Sequence, residues 1–347
     1  MAKNPINAFK KVLHLNGDIN ELRSIFDCGS RTALIGNRND IANLRRWLGS
    51  IAANPTSAYF RPCLEEFADL EAFSDGNRDR FDYVIVHFGK ELPPESVLRR
   101  HCDIFSFDTR VLYLAEIDIR DVYVNSGNVI NNYIVSMTDG IYTLSHRYDP
   151  TLPDIVLMPY GSDGLKFCQS ALVGLKDAIY PLARDFTGLR EHTVRQLVRE
   201  TCESAATVAF ASGISVDIPV IGPIIGMFAV PAETLYLTSA QVRMALIIGA
   251  LYGRSLEIPA RLHELLPIVG SAWGWRTLAR EAVGFIPAVG MFSKAAVAWA
   301  GTYAIGKICS RFYELDEPID ENLQRQIVAE SLRMAEEAVS KEGAASK

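Results

Sequence analysis

The chain has 347 residues, 49% apolar and 22% charged, with a net charge of −6. That fits one large or two medium folded domains with a sizeable core, and it removes any global electrostatic case for nucleic acid. A mean hydropathy of +0.09 is high for a soluble protein and too low for a polytopic membrane protein.

The cysteines are Cys28, Cys63, Cys102, Cys168, Cys202 and Cys309. None forms a Cys-x-x-Cys pair or has a histidine at ligand spacing, so no structural zinc is expected and buried free thiols in a reducing compartment are. At the N-terminus Lys10-Lys11 is followed by a broken apolar run, which is not the pattern of a signal peptide.

Residues 5–27 carry an apolar pattern cut by Asn16-Gly17-Asp18, which predicts two short helices, the second capped by Asp18 with Glu21 three residues on. Arg31 to Gly36 reads as a buried strand ending in a glycine turn, and Asp40 to Ile51 follows with helical spacing. Strand, glycine loop and helix open a βαβ unit, the place where a phosphate loop would sit. A phosphate loop of the form Gly-x-x-x-x-Gly-Lys-Ser/Thr needs a glycine, a lysine and a hydroxyl where this chain has Ile41, Ala42 and Asn43. Gly36, Asn37, Arg38, Asn39 and Asp40 are therefore a degenerate nucleotide-binding candidate. The other reading is a plain glycine turn without a ligand.

Residues Glu65 to Phe73 show a short acidic helical pattern, and Phe81 to Phe88 is the next strong strand. A nucleotide-hydrolysing domain would follow that strand with Asp-x-x-Gly. Here stands His87-Phe88-Gly89-Lys90, and His87 reads as a strand-end histidine. Pro93-Pro94-Glu95 opens a helix, Cys102 to Phe107 reads as extended, and Val111 to Ile117 is apolar. Asn125 to Asn128 is a turn signal, and Asn131 to Leu144 is either a helix or a hairpin over Asp139-Gly140. Pro153 to Tyr160 is a further buried strand. It is followed by Met158 to Asp163 instead of the guanine-reading Asn-Lys-x-Asp, with Asp163 read as a helix cap. Leu165 to Leu182 reads as helical. The alternation implies a mainly parallel sheet over residues 30–180.

Thr187 to Phe210 predicts one helix, with Arg195, Arg199 and Glu200 on its polar face and Leu197, Val198 and Cys202 opposite. Then polarity collapses: Asp217 is the only charge after Glu203 until Glu233, and Lys294 the only one between Ala282 and Gly306. A bilayer span needs ~20 mainly apolar residues, which neither stretch offers without charge, proline or glycine. Asp217 would cost roughly 2.5–3.5 kcal/mol at a bilayer centre. Buried bundle helices and hairpins dipping into a membrane both fit. Arg243, Arg254, Arg261, Arg276 and Arg280 suit a partly water-facing bundle. Trp273, Trp275, Phe285, Phe292 and Trp299 are candidate membrane or partner contacts. Residues 317–341 read as a charged helix.

Several segments together carry a family pattern: Thr193 to Thr201, Leu237-Thr238 with Gln241-Val242-x-Met244, Tyr252-Gly253-Arg254, and Glu264 to Gly270. Gly274-Trp275-Arg276, Ala279-Arg280-Glu281 and Ala300 to Gly306 complete it. Over residues 190–315 the chain resembles the bacterial DUF697 family, related to the YcjF-like membrane proteins. The resemblance implies a P-loop GTPase-like domain in front and membrane association behind, placing the protein in the bacterial cytoplasm at the inner membrane. The expected fold is α/β then all-α: an N-terminal helical extension (1–28), a degenerate GTPase-like domain (29–185), an apolar helical domain (186–315) and a charged tail (316–347). The expected function is that of a non-catalytic pseudo-GTPase, regulatory or scaffolding, with no cofactor, no metal, no catalytic residue and an unidentified protein partner. The alternatives are a nucleotide-binding switch with an atypical phosphate loop, or a soluble oligomeric structural module.

Overall fold

Thr32–Ile35 is apolar apart from its first hydroxyl, and all four of its side chains are buried. In a computed structural model of the chain it is β1, the second strand from one edge of a seven-stranded sheet. The structure describes residues 16–52, 62–69, 72–73, 80–105, 109–120, 132–211, 232–256, 261, 264, 290–317 and 319–345. Among them, β1 is followed by α2 (Arg38–Leu48), β2 (Leu64–Phe67), β3 (Tyr83–His87), α3 (Glu95–Ile104), β4 (Arg110–Glu116), β5 (Tyr133–Thr138), β6 (Ile141–His146), β7 (Ile155–Met158), α4 (Gly164–Leu175) and α5 (Ile179–Asp185). A first helix, α1, spans Asn16–Phe26. The sheet order is β2-β1-β3-β4-β7-β6-β5. The strands from β2 to β7 in that order pair in parallel, and β6 pairs antiparallel with both β7 and β5. The mainly parallel α/β sheet expected from the alternation is present.

Around β1, β3, β4 and β7 both faces of the sheet are covered, which is why these strands read as nearly continuous apolar runs. On one face Ala33, Ile35, Val84, Val86, Tyr113 and Ala115 share a core with Leu98 of α3 and Phe105. On the other, α4 lies so close to β4 and β7 that a Cβ at Gly174 would come within 2.3 Å of Leu112 and 3.1 Å of Val156. Here α2 packs against β1 and α4, burying Ile41, Leu44 and Leu48 at helical spacing.

Several local expectations change. The acidic segment after Cys63 is a strand, not a helix. Parallel pairing with β1 gives β2 its hydrogen bonds, and Glu65 and Glu66 reach Arg80 and Arg45 at 2.7 and 2.8 Å. Cys102 to Ile104 completes α3 instead of being extended. Asp18 falls in the first turn of α1, which begins at Asn16, instead of capping it. The helix predicted to run through Leu182 stops at Leu175, where Lys176 takes φ 50°, and restarts after a short 3-10 turn. Asn131 to Leu144 resolves as a hairpin, because Asp139 and Gly140 adopt φ 51° and 75°, the pair of positive angles a two-residue type I′ turn requires. The turn signal at 125–128 and the first predicted helix lie outside the described residues.

The chain divides into two compact units, Ser24–Thr193 and Val194–Lys347 together with the residues before Ser24. The second unit contains most of α6 (Thr187–Ala211), α7 (Ala232–Leu251), α8 (Gly290–Leu315) and α9 (Glu321–Ala345). α8 packs against α7 and α9. α7 is apolar nearly all round and buried from Met244 to Leu251, as a helix enclosed by others must be.

One arginine departs from the water-facing expectation. Arg261 is 2% exposed. It ion-pairs with Glu264 at 2.9 Å, donates to the Ser255 carbonyl at 2.8 Å and to the Tyr313 hydroxyl, and lies over the Tyr313 ring. Burial of a guanidinium is tolerable only when its N–H groups are met in this way. Arg276 and Arg280 lie outside the described residues.

Candidate functional site at the ends of β1 and β3

From β1 the chain passes through α2 to β2 on one side, then returns to β3 on the other. The carboxyl ends of β1 and β3 therefore flank a topological switch point, the place where open α/β sheets hold their ligands. Every one of the candidate residues Gly36 to Asp40 is there.

Register brings the two strand ends into direct contact. Ile35 pairs with Val86, so Gly36 abuts His87, and a Cβ at Gly36 would lie 2.9 Å from the His87 carbonyl oxygen. Glycine is required for this close approach.

Asn37 is the N-cap of α2. Its Oδ1 accepts from the backbone N–H groups of Asn39 and Asp40 at 3.1 and 3.0 Å. Its Nδ2 donates to the Asp40 carboxylate. The same carboxylate oxygen is 2.9 Å from Nδ1 of His87, whose side chain is 3% exposed. The backbone N–H of Gly89 is 3.1 Å from that nitrogen. With a proton on Nδ1 the ring donates to the carboxylate, and with Nδ1 bare it accepts from the Gly89 N–H, so the two contacts call for opposite tautomers. Arg38 and Asn39 are exposed on the outer side of the turn.

This arrangement decides what the turn can do chemically. A phosphate at a helix N-terminus binds through free N–H groups and the positive end of the dipole. Here two of those N–H groups are spent on Asn37, and the Asp40 carboxylate occupies the positive end. An incoming anion would meet a negative charge.

The neighbouring loops are likewise self-satisfied. Glu116 accepts from the Gly161 N–H at 2.6 Å, and Asp163 caps α4 by accepting from Lys166 N–H at 3.0 Å, the role its position predicted.

Sequence reading placed the Gly36 turn and the strand-end position of His87, but missed the Asp40–His87 pair. The partners are 47 positions apart and meet only through the parallel register of β1 and β3.

Of the membrane or partner candidates, Trp273, Trp275 and Phe285 lie outside the described residues, and Phe292 lies in α8. Trp299 is half-buried and stacks on Tyr303 at 5.0 Å. Among the described residues, no helix is long and apolar enough to cross a membrane, and no group of three or more His, Cys, Asp and Glu side chains could hold a metal ion.

The cysteines are free. Burial pushes the thiols of Cys168, Cys202 and Cys309 up to about 12, so they stay neutral and unreactive at ordinary pH. Cys102 is exposed, contrary to the buried-thiol expectation.

No protein-family model, curated protein or solved structure matches the chain.

Proposed function

We propose that this chain is a non-catalytic, GTPase-like regulatory or scaffolding protein of the DUF697 kind. In this reading its helical unit attaches it to the cytoplasmic face of the bacterial inner membrane or to a protein partner. The observation that carries the non-catalytic part is the closure of the turn after β1 by Asn37, Asp40 and His87, which fills the anion-binding position with the chain's own groups. With Ala42 and Asn43 at the lysine and hydroxyl positions, the turn also lacks the cation and the magnesium ligand that triphosphate chemistry needs. The attachment rests on the low charge of residues 204–232 and 282–306.

Calorimetric titration with GTP, GDP and ATP in the presence of magnesium tests the first part. No heat of binding is expected at nucleotide concentrations up to the millimolar range, and saturable binding that is lost with Gly36→Val overturns it. Cell fractionation tests the second part: the protein is expected in the membrane fraction, and a chain that stays in the supernatant without detergent at high concentration overturns attachment to the bilayer.

The strand order favours a second reading. The run β2-β1-β3-β4 matches the flavodoxin-like doubly wound order, whose ligands sit at the β1/β3 switch point. A binding switch with an atypical loop at Gly36–Asp40 would use that crevice, and the same titrations would reveal it.

A further inference from the structure

The two edges of the sheet differ in kind. β2 is four residues long and carries two glutamates paired to arginines, the usual means of blunting an edge. β5, at the other end, is Tyr-Ile-Val-Ser-Met-Thr: six residues with no charge and no proline. Among the described residues it pairs only with β6. Ile134 and Met137 are 52% and 62% exposed.

The hairpin geometry fixes which backbone groups face outward. Thr138 and Ile141 flank a two-residue turn and bond to each other, and Arg147 N–H donates to the Asn132 carbonyl at 2.6 Å. Alternation then turns the N–H and C=O groups of Tyr133, Val135 and Met137 away from β6.

We propose that this edge is an interface with a second copy of the chain, β5 pairing antiparallel with β5 about a two-fold axis at Val135. The ladder would join Val135 to itself and Tyr133 to Met137 of the second copy. Three observations favour this occupant. The sheet is already antiparallel at this end. An uncharged strand meets its own copy without opposing like charges, whereas a charged partner strand of either sign would find no counter-charge on β5. Finally, exposed Asp139 stands at the turn end of the hairpin and exposed Arg147 at its open end. The two-fold sets each acidic end beside the other copy's basic end, two strand spacings or about 10 Å away, about one Debye length at ~0.1 M salt, where the attraction is weakened but not abolished.

Light scattering coupled to size-exclusion chromatography tests this on the full chain, under reducing conditions that prevent disulfide artefacts at Cys102. A dimer is expected. Met137→Lys puts a charge on an exposed side chain, and Val135→Pro removes an outward N–H without touching the β5–β6 ladder. Each raises the concentration of half-dissociation by about tenfold or more while the circular dichroism spectrum is unchanged. Arg147→Glu weakens the dimer a few fold, a loss that parallel pairing would not give. If Val135→Pro fails to fold, Met137→Lys decides alone. A chain that is monomeric at every concentration overturns the proposal, as does a dimer indifferent to the folded β5 variants. Either result leaves the edge to a strand of some other protein.

Discussion

At Asp40 a single carboxylate has three tasks: it receives Asn37, it meets His87, and it complements the positive end of α2. Replacing it with alanine removes the carboxylate partner of the buried imidazole and of the Asn37 amide, at a cost of about 1–3 kcal/mol. Asn37→Ala strips the cap and costs about 0.5–2 kcal/mol. Both losses should be local. Hydrogen exchange is expected to accelerate at the first-turn amides of α2 while the strand amides of β4 and β7 keep their protection. Unchanged exchange at Asn39 and Asp40 in both variants would contradict the closed-turn account. The residue types in this site were legible in the sequence: a capping asparagine, an acid in the first turn and a histidine ending a strand. Their convergence was not, because the register of two parallel strands is a property of the whole sheet and leaves no trace near either residue.

At the scale of elements, strongly patterned segments were readable and ambiguous ones were settled by their neighbours. α2, β3, β7 and the long α6 follow from periodicity and buried runs. β2 does not, since four residues with two glutamates carry no period. It is a strand because β1 offers a free ladder and because arginines on α2 and before β3 answer its charges. The hairpin was left open until two positive backbone angles settled it.

In the helical unit, Arg261 is locked between Gly249 of α7 and Tyr313 of α8. A Cβ at Gly249 would fall 2.0 Å from its guanidinium. Arg261→Ala should cost about 3–5 kcal/mol by removing a buried, paired guanidinium, and Arg261→Met less, since a full-length apolar side chain fills the space. Gly249→Ala should expel the arginine and so lose much of the same energy. The double variant Gly249→Ala/Arg261→Ala is therefore expected to cost well under the sum of its parts in thermal unfolding. Additive losses would show that the two residues act independently.

For the molecule as a whole, ionisation sets an upper bound on pH. The buried thiols of Cys168, Cys202 and Cys309 are held near 12 against an ordinary value of 9.0, and burial also raises the phenols of Tyr83, Tyr113 and Tyr313. Between these values the unfolded chain has released protons that the folded chain retains. Stability is therefore full below about pH 9 and falls as pH rises toward 12. Denaturant midpoints measured from pH 7 to 11 should decline above 9, and an alkaline plateau would refute it. In the native protein at pH 8 a thiol reagent should label Cys102 first and reach the three buried cysteines only after unfolding.

The unlike margins of the sheet also limit how far assembly can proceed. Joining two neutral margins consumes both, and what remains at the outer ends is the short, glutamate-bearing β2 of each copy. In the proposed dimer the ladder left open on each outer side is only four residues long and carries charge, which disfavours the addition of a third molecule by the same pairing.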